Sequence, residues 1–255
     1  MKKNTIAALA LLITGWTAAA HCSADELKVL TAGAITGIVK QVAAEFEQRS
    51  GVHVVVDNAT AGVLNKRIRD KEKFDVVILT ADMLARLAQD GYVVPSSQHT
   101  IASVGVGVAV KEGHAVPAIA TVEQFKKTLL NAKSIAYIDP ASGGSSGIYL
   151  KQLFEQMGIA EQIGKKTVPV PGGLVATRLL DGQADLALHQ ISEILQVKGA
   201  HLVGPLPKQI QNLTVYAVGV GAASTQQPQG HAFATLFAGE KVKAALEEHG
   251  MVAAD

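Results

Sequence analysis

The sequence predicts an α/β protein with two lobes and a ligand cleft between them. Short apolar segments alternate with amphipathic segments in two separate runs, which is typical of parallel strands joined by helices. Two long extended segments, residues 101–110 and 213–220, flank the second run and predict two crossings of the chain between the lobes. We therefore expect lobe 1 to contain residues 25–100 and 224–255, and lobe 2 to contain residues 101–223.

The elements of each run follow from apolar periodicity and from the residues that end helices. In the first run, strands are predicted at 27–30, 52–56 and 75–79, and helices at 36–49, 61–70 and 81–89. Gly51 and Gly91 follow two of these helices, as expected of helix ends. In the second run, helices are predicted at 122–130, 147–156 and 174–180, and strands at 134–138, 167–170 and 184–188. Residues 233–248 predict a closing helix that returns to lobe 1.

The composition excludes several classes of protein. The chain has 255 residues, of which 48% are hydrophobic and 18% are charged, too apolar a balance for a disordered chain. With 23 Lys and Arg against 22 Asp and Glu, it lacks the basic excess of a nucleic-acid binder, so no nucleic-acid partner is expected. A single Cys excludes an internal disulfide and a cysteine-based metal centre, and no histidine spacing typical of a metal site occurs.

The first 24 residues predict a cleavable secretory signal. Lys2 and Lys3 precede an apolar run at 6–13, which is too short to span a membrane, and small residues follow it. Cleavage after Ala20 is an alternative to cleavage after Ala24. We favour Ala24, because the chain would then begin just before the first strand. A lipid anchor on the cysteine at position 22 is the less favoured alternative, because a histidine precedes it where a small residue is needed. The signal places the protein in the periplasm.

Five loops at predicted strand ends carry small or hydroxylic residues and predict an anion-binding cleft. Ligands of open α/β sheets bind where strands end and helices begin, and free N–H groups at helix starts favour anions. The candidate ligand-binding residues in these loops and after the strand 184–188 are Thr31, Ala34, Thr36, Thr60, Ala61, Thr80, Ser142, Gly143, Ser145, Ser146, Gly172 and Gln190. Nucleotide binding is not expected, because the Ser- and Gly-rich loop at 142–147 lacks the Gly-Lys-Ser/Thr ending of a phosphate-binding loop.

One histidine and two arginines are the candidate reactive or charged partners of a ligand. His189 follows a buried strand at the predicted cleft and is the candidate general acid or base, because imidazole titrates near neutral pH. A structural histidine at a strand end is the alternative. Arg67 and Arg178 lie on helices that begin at cleft loops, where either could pair with a carboxylate, but a solvated helix face is the favoured alternative for each.

The chain resembles the periplasmic molybdate-binding protein family of the type II solute-binding fold. The tracts Phe-Asp-Val-Val-Ile-Leu-Thr-Ala-Asp at 74–82 and Asp-Pro-Ala-Ser-Gly-Gly-Ser-Ser-Gly-Ile-Tyr at 139–149 carry the resemblance most specifically. It implies a two-lobed periplasmic binding protein that closes on a small anion. The sequence departs from the family where Ala34 replaces a serine, where Thr60-Ala61-Gly62 replaces a serine run, and where Gln190 replaces a tyrosine. Because each hydrogen bond to a charged group is worth about 1.5–3 kcal/mol, these departures disfavour tight binding of molybdate.

The altered loops are similar to those expected of an enzyme branch of this family, the aconitate isomerases. That resemblance implies a cofactor-free 1,3-proton shift between trans- and cis-aconitate. It does not identify the base, and we assign that role to His189 from its position after a strand at the predicted cleft. The alternative is a solute-binding protein of an ABC importer for oxyanions or small carboxylates, whose partner would be an ABC permease. A binding protein without turnover, acting as a sensor, is a third hypothesis. All three imply a small anionic ligand and a monomer.

Overall fold

The computed structural model describes residues 26–254, which fold into a mixed sheet covered by helices. Within this part of the chain the strands are β1 (Glu26–Ala32), β2 (His53–Ala59), β3 (Val76–Thr80), β4 (His99–Lys111), β5 (Ile135–Ile138), β6 (Thr167–Val170), β7 (Leu186–Gln190), β8 (Ala200–Pro205), β9 (Leu213–Val220) and β10 (Val252–Ala253). The α-helices are α1 (Thr36–Ser50), α2 (Ala61–Arg69), α3 (Ala81–Gln89), α4 (Val122–Asn131), α5 (Ser145–Gln156), α6 (Ala160–Gly164), α7 (Thr177–Leu180), α8 (Ile191–Ile194), α9 (Gln227–Thr235) and α10 (Glu240–Glu248).

Strand β4 joins the two halves of the sheet. The strand order is β2-β1-β3-β9-β4-β7-β5-β6, with β8 and β10 also paired to β4. The first half of β4 pairs with β9, from His99 opposite Val218 to Gly105 opposite Leu213. From Val106 onward, β4 pairs with β7 instead. Strands β1, β2 and β3 are parallel, as are β5, β6 and β7, so each half has the architecture predicted for one lobe.

The apolar core is divided in the same way. One cluster of buried side chains covers the β1–β3 half and includes Phe46 and Phe233, whose rings meet edge to face. Two further clusters lie on the β5–β7 half, one of them around Phe125 and Phe154. The predicted two-lobed α/β fold is therefore confirmed. The predicted lobe boundaries stay a prediction. Strand β9, which the boundaries assign to lobe 2, pairs with β3 of lobe 1, with Thr80 opposite Tyr216.

Most predicted elements are present, with differences at the ends of the chain and in short helices. The predicted helix 233–248 is broken: α9 ends, and α10 begins after Gly239, whose extended backbone interrupts the helical path. The predicted helix 174–180 is reduced to the single turn of α7. Strands β8 and β10 carry no alternating apolar pattern, and only their pairing with β4 identifies them.

No helix among residues 26–254 is long and apolar enough to cross a membrane. The predicted signal at 1–24 lies outside the described residues.

The two halves touch each other where α2 and α5 begin. The Gly62 N–H donates to the Gly143 carbonyl oxygen at 3.0 Å, and the Thr60 hydroxyl donates to the carbonyl of Ser142. The backbones approach so closely that a Cβ on Gly62 would lie 2.6 Å from the Cα of Gly143. Only glycine at both positions allows this approach, so a side chain at either position would push the two halves apart.

A methyl group at position 62 is expected to hold the lobes apart. Gly62→Ala places carbon against the Gly143 backbone, which should disfavour the closed arrangement by about 1–3 kcal/mol. Small-angle X-ray scattering should then give a larger radius of gyration than for the unaltered protein. Gly164→Ala is the control, because nothing lies within 4 Å of a Cβ added there. Equal radii for both variants would contradict the role of this contact.

Candidate active site

A cavity of about 260 Å³ lies between the lobes, where β1, β2, β5 and β7 end. Three long helices begin at its wall: α1 after a short 3₁₀ turn, α2 after Thr60, and α5 after Gly144. The first N–H groups of a helix have no partner within the helix, and the helix dipole makes this end positive. The cavity is therefore suited to an anion without a large number of cationic side chains.

Eight of the predicted ligand-binding and reactive residues are brought together at this cavity. They are Ala34, Thr36, Thr60, Ala61, Ser145, Ser146, His189 and Gln190. They come from both lobes and from four separate strand ends, as the prediction of a cleft required. Their roles toward a ligand stay a prediction, because position at the cavity wall alone does not establish contact.

The remaining predicted loop residues lie elsewhere. Thr31 is fully buried in the strand, and its hydroxyl donates to the carbonyl of Ala32. Thr80 and Gly143 border a neighbouring groove on the other side of the Gly62 contact. Ser142 and Gly172 are not among the residues that line the cavity, whereas Gly173 is.

Both predicted arginines are engaged away from the cavity. Arg67 forms ion pairs with Glu72 and Asp57, and together with Lys28 it lowers the pKa of Glu72 to about 2. Arg178 pairs with Asp181 at 3.2 Å on its own helical turn. Neither arginine lines the cavity, so their placement gives no support to the prediction that they bind a carboxylate of the ligand.

The most unusual feature of the cavity is a buried pair formed by His189 and Glu193. His189 lies in β7 and Glu193 in the short helix α8, which follows β7 directly. The Nε2 atom of His189 is 3.1 Å from Oε2 of Glu193, and the two side chains are only 2% and 9% exposed. The opposite lobe also approaches Glu193, since a Cβ on Gly33 would lie 2.6 Å from its Oε1 atom.

Burial sets the protonation of this pair. It lowers the pKa of His189 to about 3 and raises the pKa of Glu193 to about 8, since a charge is costly away from water. Both shifts favour the neutral forms at pH 7. The carboxyl group then keeps its proton and can donate it to Nε2 of the imidazole. This arrangement allows a proton to pass between the two side chains at the cavity wall.

A glutamine amide and a phenol also line the cavity beside the pair. The Gln190 amide nitrogen donates to Thr214 at 2.8 Å and to Ser145 at 3.2 Å. Its Oε1 atom and the Nδ1 atom of His189 are buried without a hydrogen-bond partner in the described structure. The Tyr216 phenol also lines the cavity, where burial and then the charge of Glu193 raise its pKa and keep the hydroxyl protonated.

Sequence reasoning missed several residues of this wall. Glu193 was detectable in principle, because it follows His189 by four residues, but no predicted helix joined the two. Tyr216 comes from a predicted crossing strand, and only the register that sets it opposite Thr80 places it at the strand end. Lys40, Asn58 and Gln196 also line the cavity. Within residues 26–254, no group of three or more His, Cys, Asp or Glu is arranged to hold a metal ion.

The protonated Glu193 is expected to make stability depend on pH. Between about pH 6.5 and 8 the folded protein keeps this proton, whereas an unfolded glutamate, with a pKa near 4.5, has lost it. Unfolding then releases a proton, so the free energy of unfolding falls as the pH rises, by at most about 1.4 kcal/mol per pH unit. His189 has a smaller opposite effect near pH 6.5, because an unfolded histidine with a pKa of 6.5 is half protonated there while the buried His189 is neutral. The net loss of stability is therefore steepest above about pH 7.

Denaturant unfolding at several pH values tests this dependence. The unaltered protein should lose stability between pH 6.5 and 8, and Glu193→Gln should lose less because its side chain does not titrate. Glu155→Gln, at an exposed position, is the control and should follow the unaltered protein. Parallel pH curves for all three proteins would contradict the raised pKa of Glu193.

Comparison with known proteins identifies the family. Residues 27–252 match the family of bacterial extracellular solute-binding proteins. An aconitate isomerase from a Pseudomonas species is 30% identical over 254 residues, covering 97% of this chain and 95% of the relative. The periplasmic molybdate-binding protein of Azotobacter vinelandii superposes with a TM-score of 0.74 at 20% identity, covering 90% of this chain and all of that one. The sulfate-binding protein SubI of Mycobacterium tuberculosis gives 0.72 at 14% identity, covering 91% and 88%. The resemblance inferred from sequence is confirmed, and the chain belongs to the bacterial extracellular solute-binding protein family.

Proposed function

We propose that this protein is an isomerase that interconverts trans- and cis-aconitate by a 1,3-proton shift. The observation that carries the proposal is the buried His189–Glu193 pair at the wall of an anion-suited cavity. A carboxyl group whose pKa lies near neutral pH is matched to taking up and releasing a proton under these conditions. The similarity to an aconitate isomerase over nearly the whole chain supports the same reaction.

The reaction moves one proton and one double bond. A base removes a proton from the methylene carbon of aconitate, and the electron pair of that C–H bond shifts into the allylic system. The resulting dienolate carries its charge on the adjacent carboxylate, which hydrogen-bond donors can stabilise. The proton then returns to the former vinylic carbon, and the double bond forms between the other two carbons. No atom or electron is lost, so the proposed reaction needs no cofactor.

We assign the base to Glu193 and not to His189. The ionised Glu193 carboxylate, with a pKa of about 8, is the stronger base, whereas burial leaves the His189 imidazole with a pKa of about 3. His189 then holds the carboxylate in place through its Nε2 atom, 3.1 Å from Oε2. The hypothesis that His189 itself takes the proton, made from the sequence, stays a prediction with a different pH profile.

The carboxylates of the substrate would be held by backbone and hydroxyl donors. Helices α1, α2 and α5 begin beside the cavity, and N–H groups of their first turns that have no partner in the protein would donate to the anion. The Ser145 and Ser146 side chains and the Tyr216 hydroxyl line the same cavity. These donors can stabilise the negative charge that grows on a carboxylate as the proton leaves.

A receptor function is the second candidate, and membership of a solute-binding family favours it. In that case the protein would deliver an oxyanion or a small carboxylate to an ABC permease. Under both proposals we place the protein in the periplasm as a monomer, with residues 1–24 as its cleaved signal. The two proposals differ in turnover, which an assay separates directly.

Turnover of trans-aconitate, followed by chromatography of the cis isomer, tests the proposed reaction. We expect kcat/KM to rise about tenfold per pH unit up to about pH 8 and then to level off, because ionised Glu193 is the active form. Glu193→Gln should lower kcat by about 10²- to 10⁴-fold, the usual contribution of a general base. The exposed Glu155→Gln variant is the control and should keep full activity.

Three outcomes separate the alternatives. A flat profile above pH 5, together with loss of activity in His189→Gln but not in Glu193→Gln, would move the base role to His189. No interconversion, together with a large rise in melting temperature on adding molybdate, would favour the receptor function. Full activity of both variants would remove the pair from the reaction.

A further inference from the structure

We propose that Lys40 binds one carboxylate of the ligand and makes the site selective for tricarboxylates over smaller anions. This inference rests on the proposed function, because it names the residue that would recognise the substrate class of the same site. It concerns binding and not proton transfer, so it is testable with a ligand that cannot react.

Lys40 is the one lysine or arginine among the described residues that line the cavity. It lies on α1, one helical turn after Thr36, so both residues share the face of the helix that borders the cavity. Side chains on a helix lean toward its N-terminus, which here is the end that opens on the cavity. Lys40 is exposed, so its side chain is free to extend back along the cavity wall.

The Lys40 side chain has no hydrogen bond or ion pair with another described residue. Other lysines of the same lobe are engaged: Lys28 pairs with Glu72 at 2.8 Å, and Lys241 pairs with Glu45 at 3.2 Å. A cation at the edge of a cavity, without a carboxylate of its own, is available to the carboxylate of a ligand.

The position of Lys40 also fits a ligand longer than an inorganic oxyanion. Glu193 reaches the cavity beside Gly33, which lies in the 3₁₀ turn before α1, seven residues before Lys40. At the rises of a 3₁₀ turn and an α-helix, this separation is roughly 12 Å. The lysine side chain spans part of this distance. A ligand that places its reacting carbon near Glu193 would then have a carboxylate within reach of Lys40.

The charges of the cavity support the same conclusion. The starts of α1, α2 and α5 each supply roughly half a positive charge, which suits a doubly charged oxyanion. A tricarboxylate carries a third negative charge that these three helix ends do not balance. Lys40 supplies the positive charge that is missing.

Calorimetric binding of propane-1,2,3-tricarboxylate tests the proposal. This saturated analogue has the three carboxylates of aconitate but no double bond to shift. Lys40→Gln should weaken its binding about tenfold or more, the loss of one charged hydrogen bond, and Lys40→Arg should restore much of the affinity. Lys151→Gln removes an exposed lysine that does not line the cavity, and it should bind like the unaltered protein.

In turnover assays, Lys40→Gln should raise KM for trans-aconitate with little change in kcat, because Lys40 would bind the substrate and the transition state equally. Affinity of Lys40→Gln within twofold of the unaltered protein would overturn the proposal. Weakened binding of the analogue in a protein without isomerase activity would sustain the role of Lys40 and overturn the proposed reaction instead.

Discussion

A carboxyl group kept out of water beside an imidazole is the interaction on which the site depends. The local structure produces it: α8 follows β7 without a loop, so His189 and Glu193 lie side by side at the end of a buried strand. The Ser192 hydroxyl donates to the Ala34 carbonyl at 2.7 Å and fixes α8 against the loop of the other lobe. Because Gly33 has no side chain, Glu193 can lie against that loop.

The rest of the cleft attracts an anion to this pair without placing a full positive charge beside it. The helix starts supply positive potential without placing a full charge beside Glu193, so an anion can enter while the carboxyl keeps its raised pKa. Gly143, which touches Gly62, lines the neighbouring groove, and Ala61 and Ser145 line both that groove and the cavity. Electrostatic interactions with a ligand are stronger where water is scarce, as beside the buried pair.

The sequence predicted the fold and the position of the cleft more fully than the chemistry of the site. Apolar periodicity and loop composition located the strand ends that carry Thr60, Ser145 and His189. Glu193 and Tyr216 were missed, because their places at the cavity depend on a one-turn helix and on strand register, neither of which leaves a periodic pattern. Arg67 was predicted as a ligand partner from its helix alone, whereas the structure pairs it with Asp57 and Glu72, which lie ten residues before it and five residues after it.

The protonation state of Glu193 is the most direct test of the account. The carboxyl resonance of Glu193, labelled with carbon-13 and assigned by comparison with Glu193→Gln, can be followed by NMR across a pH titration. The account predicts a midpoint near pH 8, because burial disfavours the carboxylate. A midpoint near 4.5, the value of a solvated glutamate, would show that the side chain is ionised at neutral pH and would contradict the proposed base.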